Sequence, residues 1–224
     1  HKKTDKAFVI PLKFGLVGKD GKDLESGTLI LDKKEQSWSF EVKEKPVLSI
    51  NRGFSALVDI NIPYSNEERL HLMKFDSDLF NRYEVGLKYA IKSFVKMIEG
   101  KKEAPDEELL AVMGEYLNQN LSHKFLSYAL TLPSNEEIMN ELKEADPEKI
   151  QSVRFLMHRS FAEKYREKLR SLYNELKEEK SFDLSDEQMG KRALKNTLLG
   201  YLALAPYSGE ARQQYRHTDN FTER

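Results

Sequence analysis

Leu70-His71-Leu72-Met73-Lys74-Phe75-Asp76-Ser77-Asp78-Leu79-Phe80 is the stretch across which the chain changes character. On its N-terminal side, Leu70 to Phe75 reads as the last of a series of short strands. Asp76, Ser77 and Asp78 then offer side-chain oxygens for the free N–H groups at a helix start. Beyond them Phe80, Tyr83, Leu87, Ile91, Phe94 and Ile98 recur every three or four residues, the spacing of one helical face, until Gly100 stops the run. Val, Ile and Thr number 12 in residues 1–75 and 12 in the twice-longer stretch 76–224. β-Branched side chains favour pleated surfaces. The expectation is an α+β chain: β structure over residues 1–75, helices over residues 76–224.

Within the first segment Phe8, Ile10, Leu12, Phe14 and Leu16 alternate with Val9, Pro11, Lys13, Gly15 and Val17. Period two over ten residues is a half-buried strand, and Pro11 places it at an edge or at its start. Lys19-Asp20-Gly21-Lys22 supplies hairpin chemistry, because Asp-Gly tolerates positive φ. Further runs at Thr28–Leu31, Ser37–Val42, Pro46–Ile50, Leu57–Ile62 and Leu70–Phe75 bring the count to about seven strands. That suggests a small Ig-like antiparallel β-sandwich. Seventy-five residues is short for one, so it should lean on the segment C-terminal to it, with the first helix packed partly against the sheet.

The second segment reads helix after helix. Pro105-Asp106-Glu107 opens one carrying Leu109, Val112, Met113, Tyr116 and Leu117, and a shorter one spans about Ser122 to Thr131. Ser134 with Glu137, and Ser185 with Gln188, have capping-box spacing. Asp146-Pro147 pairs an N-cap with a proline at the first helical position. It starts the longest apolar stripe: Ile150, Val153, Met157, Phe161, Tyr165, Leu169, Leu172 and Leu176. A last helix should run from Ser208-Gly209-Glu210 to about His217, and Asn220-Phe221-Thr222-Glu223 looks like a further cap. The pattern is an α-hairpin array or irregular solenoid, without a clean 34- or 40-residue repeat. In such an array Leu198, Tyr201, Leu202 and Tyr215 are expected near surface that further helices would cover.

Composition excludes several functions. With 36 basic and 37 acidic residues the net charge is −1, which provides no field for nucleic acid or an anionic membrane. No apolar run approaches the roughly 20 residues of a membrane span, so no membrane insertion is expected. Zero cysteines exclude disulfides, thiolate metal sites and a cysteine nucleophile. A cytoplasmic protein is the simplest fit.

The search for chemistry is mostly negative. His1, His71, His123, His158 and His217 are scattered, and none begins an H-E-x-x-H pair. A structural role is the better reading for His71 and His123. Nor is there a G-x-G-x-x-G, a phosphate-binding Walker loop or a G-x-S-x-G elbow. Arg154, His158, Arg159, Lys164, Arg166, Lys168 and Arg170 form the most basic stretch. Glu163, Glu167 and Glu175 interleave with them, which is the pattern of a solvated helix face. Phe155, Phe161, Tyr165 and Tyr173 are read as core rather than as a base-stacking platform. Of the Glu pairs at 107–108, 136–137 and 178–179, the first two suit the positive N-terminal ends of helices. Asp76 and Asp78 lack the glycine and twelfth-position glutamate of a calcium loop, so they read as caps.

Arg52-Gly53-Phe54-Ser55-Ala56-Leu57-Val58 resembles the R-x-F-S-A-P-V segment of the bacterial aminopeptidase N family, zinc-dependent gluzincin aminopeptidases, with Leu57 in place of proline. Leu130-Thr131-Leu132-Pro133-Ser134 and Asp146-Pro147 resemble its L-T-L-P-S and D-P elements. Lys191-Arg192-Ala193-Leu194-Lys195-Asn196 with Leu202-Ala203 resembles its K-R-x-L-[KR]-N…L-A helix, and Asn220-Phe221-Thr222 its N-M-T. These tags stand in the family's order across nearly all of the chain.

The resemblance implies a piece of a larger enzyme: a β-sandwich third domain plus the start of a C-terminal helical domain. In the family, two histidines and a glutamate hold zinc, which polarises the peptide carbonyl and its bound water, while acidic side chains bind the free α-amine. The H-E-x-x-H…E site, the G-x-M-E-N loop and the transition-state tyrosine lie upstream of the matched region. The resemblance therefore implies no catalytic, cofactor-binding or metal residue here, with zinc bound only in the whole enzyme. It also implies partners in the catalytic and remaining helical domains of the same parent chain, and peptide substrates for the whole. Composition and periodicity fit a second reading equally: a free-standing, non-enzymatic protein-interaction module.

Overall fold

In the computed structural model the described residues are 8–176, 183–204 and 209–217. The chain is α+β and divides into two units, residues 1–86 and 87–224. The first unit holds a three-stranded antiparallel sheet of order β2-β1-β3, from β1 (Ile10–Val17), β2 (Asp23–Leu31) and β3 (Val47–Ile50). The Asp20-Gly21 turn joins β1 to β2 as its chemistry predicts, with Gly21 at φ 81° and the Lys22 N–H donating to Asp20 Oδ1 at 3.0 Å. β1 is the central strand. Pro11 is tolerated there because β3 pairs only with Phe14 to Val17, leaving residue 11 outside that ladder. Leu12, Phe14 and Leu16 bury one face with Leu29, as period two requires.

Three of the expected strands are not strands. Residues 37–42 and 57–62 pair with no ladder among the described residues. They are nonetheless laid over the sheet: Phe40 stacks on Phe14 at 5.0 Å, and Val42, Ala56, Val58 and Ile60 pack on the core cluster. Alternation reports an extended segment with one covered face, and ladder pairing is a separate matter. Leu70–Phe75 is a helix, α1 (Asn66–Phe75). Its start carries a full capping box, with Glu68 N–H on Ser65 Oγ at 3.1 Å and Ser65 N–H on Glu68 Oε2 at 2.9 Å. A six-residue apolar run, in which Leu72 and Met73 already break strict alternation, is too short to separate the two periods, and the Ser65-x-x-Glu68 signal decides. α1 packs beside β3 and against the β1–β2 turn, where His71 Nε2 lies 2.8 Å from Gly18 O and Phe75 abuts Gly21.

C-terminal to α1 lie α2 (Leu79–Ile98), α3 (Glu107–Tyr116), α4 (His123–Ala129), α5 (Asn135–Met139), α6 (Pro147–Glu175), α7 (Asp186–Leu202) and α8 (Glu210–His217). Their ends obey the sequence signals. Gly100, at φ 72°, closes α2 with its N–H on Met97 O and the Lys101 N–H on Lys96 O. Asp106, Ser122, Ser134, Asp146 and Ser185 accept from the first turns of α3 to α7. Glu107–Glu108 and Glu136–Glu137 sit in first turns, as dipole placement requires. The core of the second unit is built where α7 packs against α4 and α6. No described helix is long and apolar enough to cross a membrane.

Two expectations about this unit are overturned. Leu198, Tyr201 and Leu202 are buried, because α4 and α6 already cover them; Tyr201 stacks at 4.9 Å on Phe161 and donates to Leu130 O. Only Tyr215 of that group is exposed. Phe155, expected in the core with Phe161 and Tyr173, is 50% exposed. The expected elements at Ser208, Asn220–Glu223 and the Glu178–Glu179 pair lie outside the described residues, as does His1.

Candidate functional site

The Arg52–Val58 segment begins with an unusual backbone. Asn51, Gly53 and Phe54 all take left-handed conformations, at φ 61°, 61° and 52°. For a residue with a bulky side chain such as Phe54 this costs on the order of 1 kcal/mol and must be held by its surroundings. Asn51 supplies much of the hold: its amide donates to Ala56 O at 3.1 Å and its Oδ1 accepts from Ala56 N at 2.9 Å. Ser55 Oγ ties the segment to β1 by accepting from Lys13 N at 2.8 Å. Phe54 stacks on Phe80 at 5.2 Å.

Arg52 spends its donors inside the unit. Nε reaches Ser49 Oγ at 2.7 Å, the two terminal nitrogens take Asp23 as a bidentate pair at 2.6 and 2.8 Å, and one also reaches Asp76 at 3.0 Å. Burial works against its charge, but Asp23, Asp76 and Asp78 outweigh it and hold the guanidinium above its ordinary value. Asp76 is fully buried and also accepts from the Asn81 amide and the Asp78 N–H. Asp78 caps α2 through Asn81 N at 2.8 Å and holds Gly53 N at 2.8 Å. This network joins β2, β3, α1 and α2. Each nitrogen of the Arg52 guanidinium has a partner within the chain, so the arrangement is a clamp built from internal ion pairs.

The other tags are also packed into structure. Leu130 and Leu194 are fully buried, Thr131 Oγ1 donates to Ser127 O at 2.6 Å, and Asn196 accepts from the Gln214 amide at 2.9 Å. Tyr201 to Leu130 joins the third tag to the second across α7 and α4.

The histidines are dispersed. His71 meets Gly18 O, His123 opens α4, and His158 stacks on Tyr201 at 4.1 Å. Burial, reinforced by Arg154, pushes the His158 imidazole down to about 4. Burial and Lys191 lower His123. Among the described residues no three His, Asp or Glu side chains are grouped to hold a metal ion. Of the basic stretch, Arg159 pairs with Glu163 at 2.7 Å, Lys164 with Glu107 at 2.6 Å and Arg170 with Glu210 at 3.0 Å.

Beside this stretch lies the feature that sequence reasoning missed: a groove of about 650 Å³ between α6 and the end of α7, floored by Phe155, Ala162, Ala203 and Leu204. Arg159, Glu163 and Arg166 stand along it. The spacing 155, 159, 162, 166 marks one helical stripe. Its mixture of cation and apolar side chains gives no clean signal in a hydrophobicity pattern. The partners of Arg52 were missed for a different reason, since residues 23, 49 and 76 share no spacing.

Similarity to known proteins fits this architecture. Residues 66–224 match the family described as domain of unknown function DUF3458_C, ARM repeats, and residues 1–63 match DUF3458, Ig-like fold. Aminopeptidase N of Caulobacter vibrioides is 29% identical over 198 residues, covering 87% of this chain and 23% of the relative. Aminopeptidase N of Haemophilus influenzae is 24% identical over 229 residues, covering 96% and 26%. The crystal structure of Legionella pneumophila aminopeptidase A in complex with aspartic acid superposes with a TM-score of 0.82 at 28% identity, over 96% of this chain and 27% of that one. The chain thus spans about a quarter of the length of the relatives it matches. It belongs to the DUF3458 family, an Ig-like domain followed by ARM repeats, and is homologous to that region of the bacterial aminopeptidase N relatives.

Proposed function

We propose that this chain is the scaffold portion of a zinc-dependent aminopeptidase that removes N-terminal residues from peptides in the cytoplasm. In this reading residues 1–75 connect a catalytic domain to the helices, and residues 76–224 begin the helical cap of the active-site chamber. The observation that carries it is similarity to aminopeptidases over 87–96% of the chain, with the Arg52 clamp in the most recognisable segment. Zinc does not fit the described residues: His71 and His158 are engaged, and no three ligands converge. The metal belongs, in this proposal, to the catalytic domain of the parent chain.

The parent reading frame is the first test: an H-E-x-x-H segment upstream is expected. The second is an assay of the 224-residue chain with added zinc and an alanyl-arylamide. No turnover is expected. Turnover that co-purifies with the chain and disappears with chelator would overturn the scaffold reading. An upstream sequence without the zinc motif would favour the free-standing interaction module.

A further inference from the structure

We propose that the α6–α7 groove is a docking surface for a free, extended peptide that carries a carboxylate beside apolar side chains. The inference stands on the groove alone, whether or not the parent is a peptidase. Its volume of about 650 Å³ lies in the range of ligand clefts, roughly 300–1,000 Å³. A second, shallower groove lined by Pro147, Glu148, Gln151 and Ser152 meets it at Phe155. Together they run along α6 from residue 147 to residue 166, about 28 Å at 1.5 Å per residue. That length suits roughly eight residues of extended chain, more than a small metabolite needs. Stacked helical repeats commonly use such elongated surfaces for binding.

Charge complementarity sets the chemistry of the occupant. Arg159 and Glu163 neutralise one another at 2.7 Å. At the α7 end Arg166 is left over, with no ion pair among the described residues, while Glu148 at the far end disfavours a second carboxylate and so confines the occupant's carboxylate to the Arg166 end. A guanidinium offers a planar fork suited to a carboxylate. The helix is kinked beside it, since Tyr165 leaves helical geometry at φ −116° and ψ 18° where it presses on Gly114. Phe155, half exposed at the meeting of the two grooves, supplies the apolar anchor together with Ala162 and Leu204.

The test uses the 224-residue chain and two labelled, end-blocked octapeptides, one ending Leu-Leu-Glu-Glu and the other Leu-Leu-Gln-Gln, titrated by fluorescence anisotropy. The Glu peptide should bind at least about fivefold more tightly, as a charge-assisted pair requires, and the preference should shrink with salt. Arg166→Gln should abolish the preference and leave the Gln peptide unchanged, Arg166→Lys should keep part of it, and Phe155→Ala should weaken both peptides. If Arg166→Gln fails to fold, the Glu-to-Gln comparison on the unaltered chain and on Arg166→Lys decides. Equal affinities, no saturable binding of the Glu peptide by 1 mM, or a preference that survives Arg166→Gln would overturn the proposal. So would self-association of the chain through this groove that the Glu peptide does not displace.

Discussion

Arg52 lies flat across Gly15: a β-carbon at residue 15 would stand 2.1 Å from the guanidinium carbon. The absence of a side chain on the central strand is what lets the cation reach Asp23 and Asp76 at once.

Gly15→Ala should therefore be severely destabilising, by about 3 kcal/mol or more, because the methyl overpacks the site and pushes a buried ion pair apart. Gly27→Ala is the control, since its added carbon would meet only the Phe14 ring edge at 3.4 Å. Urea unfolding of both variants checks this. Similar midpoints for the two would remove the clamp from the account of stability.

Arg52→Met should cost about 3–5 kcal/mol, chiefly by leaving buried Asp76 without its cation. Adding Asp76→Asn should recover part of that loss, because the uncompensated charge goes with it. A double-mutant cycle measures the coupling. Strict additivity would mean that the two residues do not act as a pair.

Ser65→Ala should cost about 1 kcal/mol by removing the N-cap of α1, and Ser65→Asp should be tolerated. Thermal unfolding monitored by circular dichroism distinguishes the two. An unchanged Ser65→Ala chain would show that sheet packing alone holds this helix.

His158 makes stability pH-dependent. In the folded chain burial and then Arg154 depress its imidazole to about 4, whereas the unfolded chain takes up the proton near pH 6.5. The unfolded state thus binds more protons between those values. The contribution is full above about pH 6.5 and is lost as pH falls toward 4. Between pH 7.5 and 4.5 the unaltered chain should lose about 1–2 kcal/mol more than His158→Gln. Parallel losses in the two proteins would assign the acid sensitivity to other groups.

Helix starts were legible in the sequence because caps are local: Asp106, Ser134 and Asp146 satisfy N–H groups two or three residues away. The Asp20-Gly21 hairpin and the Gly100 stop were legible for the same reason, as each needs a backbone conformation that glycine adopts freely. Failures came where a local pattern is ambiguous or silent. Leu70–Phe75 is a short apolar run like the strands before it but belongs to a helix whose deciding signal lies upstream at Ser65 and Glu68. Residues 37–42 and 57–62 have the period of strands, yet ladder bonds need a partner that periodicity does not specify.

By itself, then, the sequence determined the division into a β-rich first part and a helical second, the places where most helices begin and end, and the family resemblance. Each rests on contacts within a few residues or on residue type alone. Tertiary structure decided what meets across long separations. It brought Gly15, Asp23, Ser49, Asp76 and Asn81 around Arg52, buried Tyr201 against Phe161 and Leu130, and left Phe155 and Arg166 facing an open groove. The reason is that a side chain's partner depends on the path of the whole backbone: Phe155 and Phe161 point about 120° apart around α6, and α7 comes back over the second, where Tyr201 meets Phe161, and leaves the first half exposed.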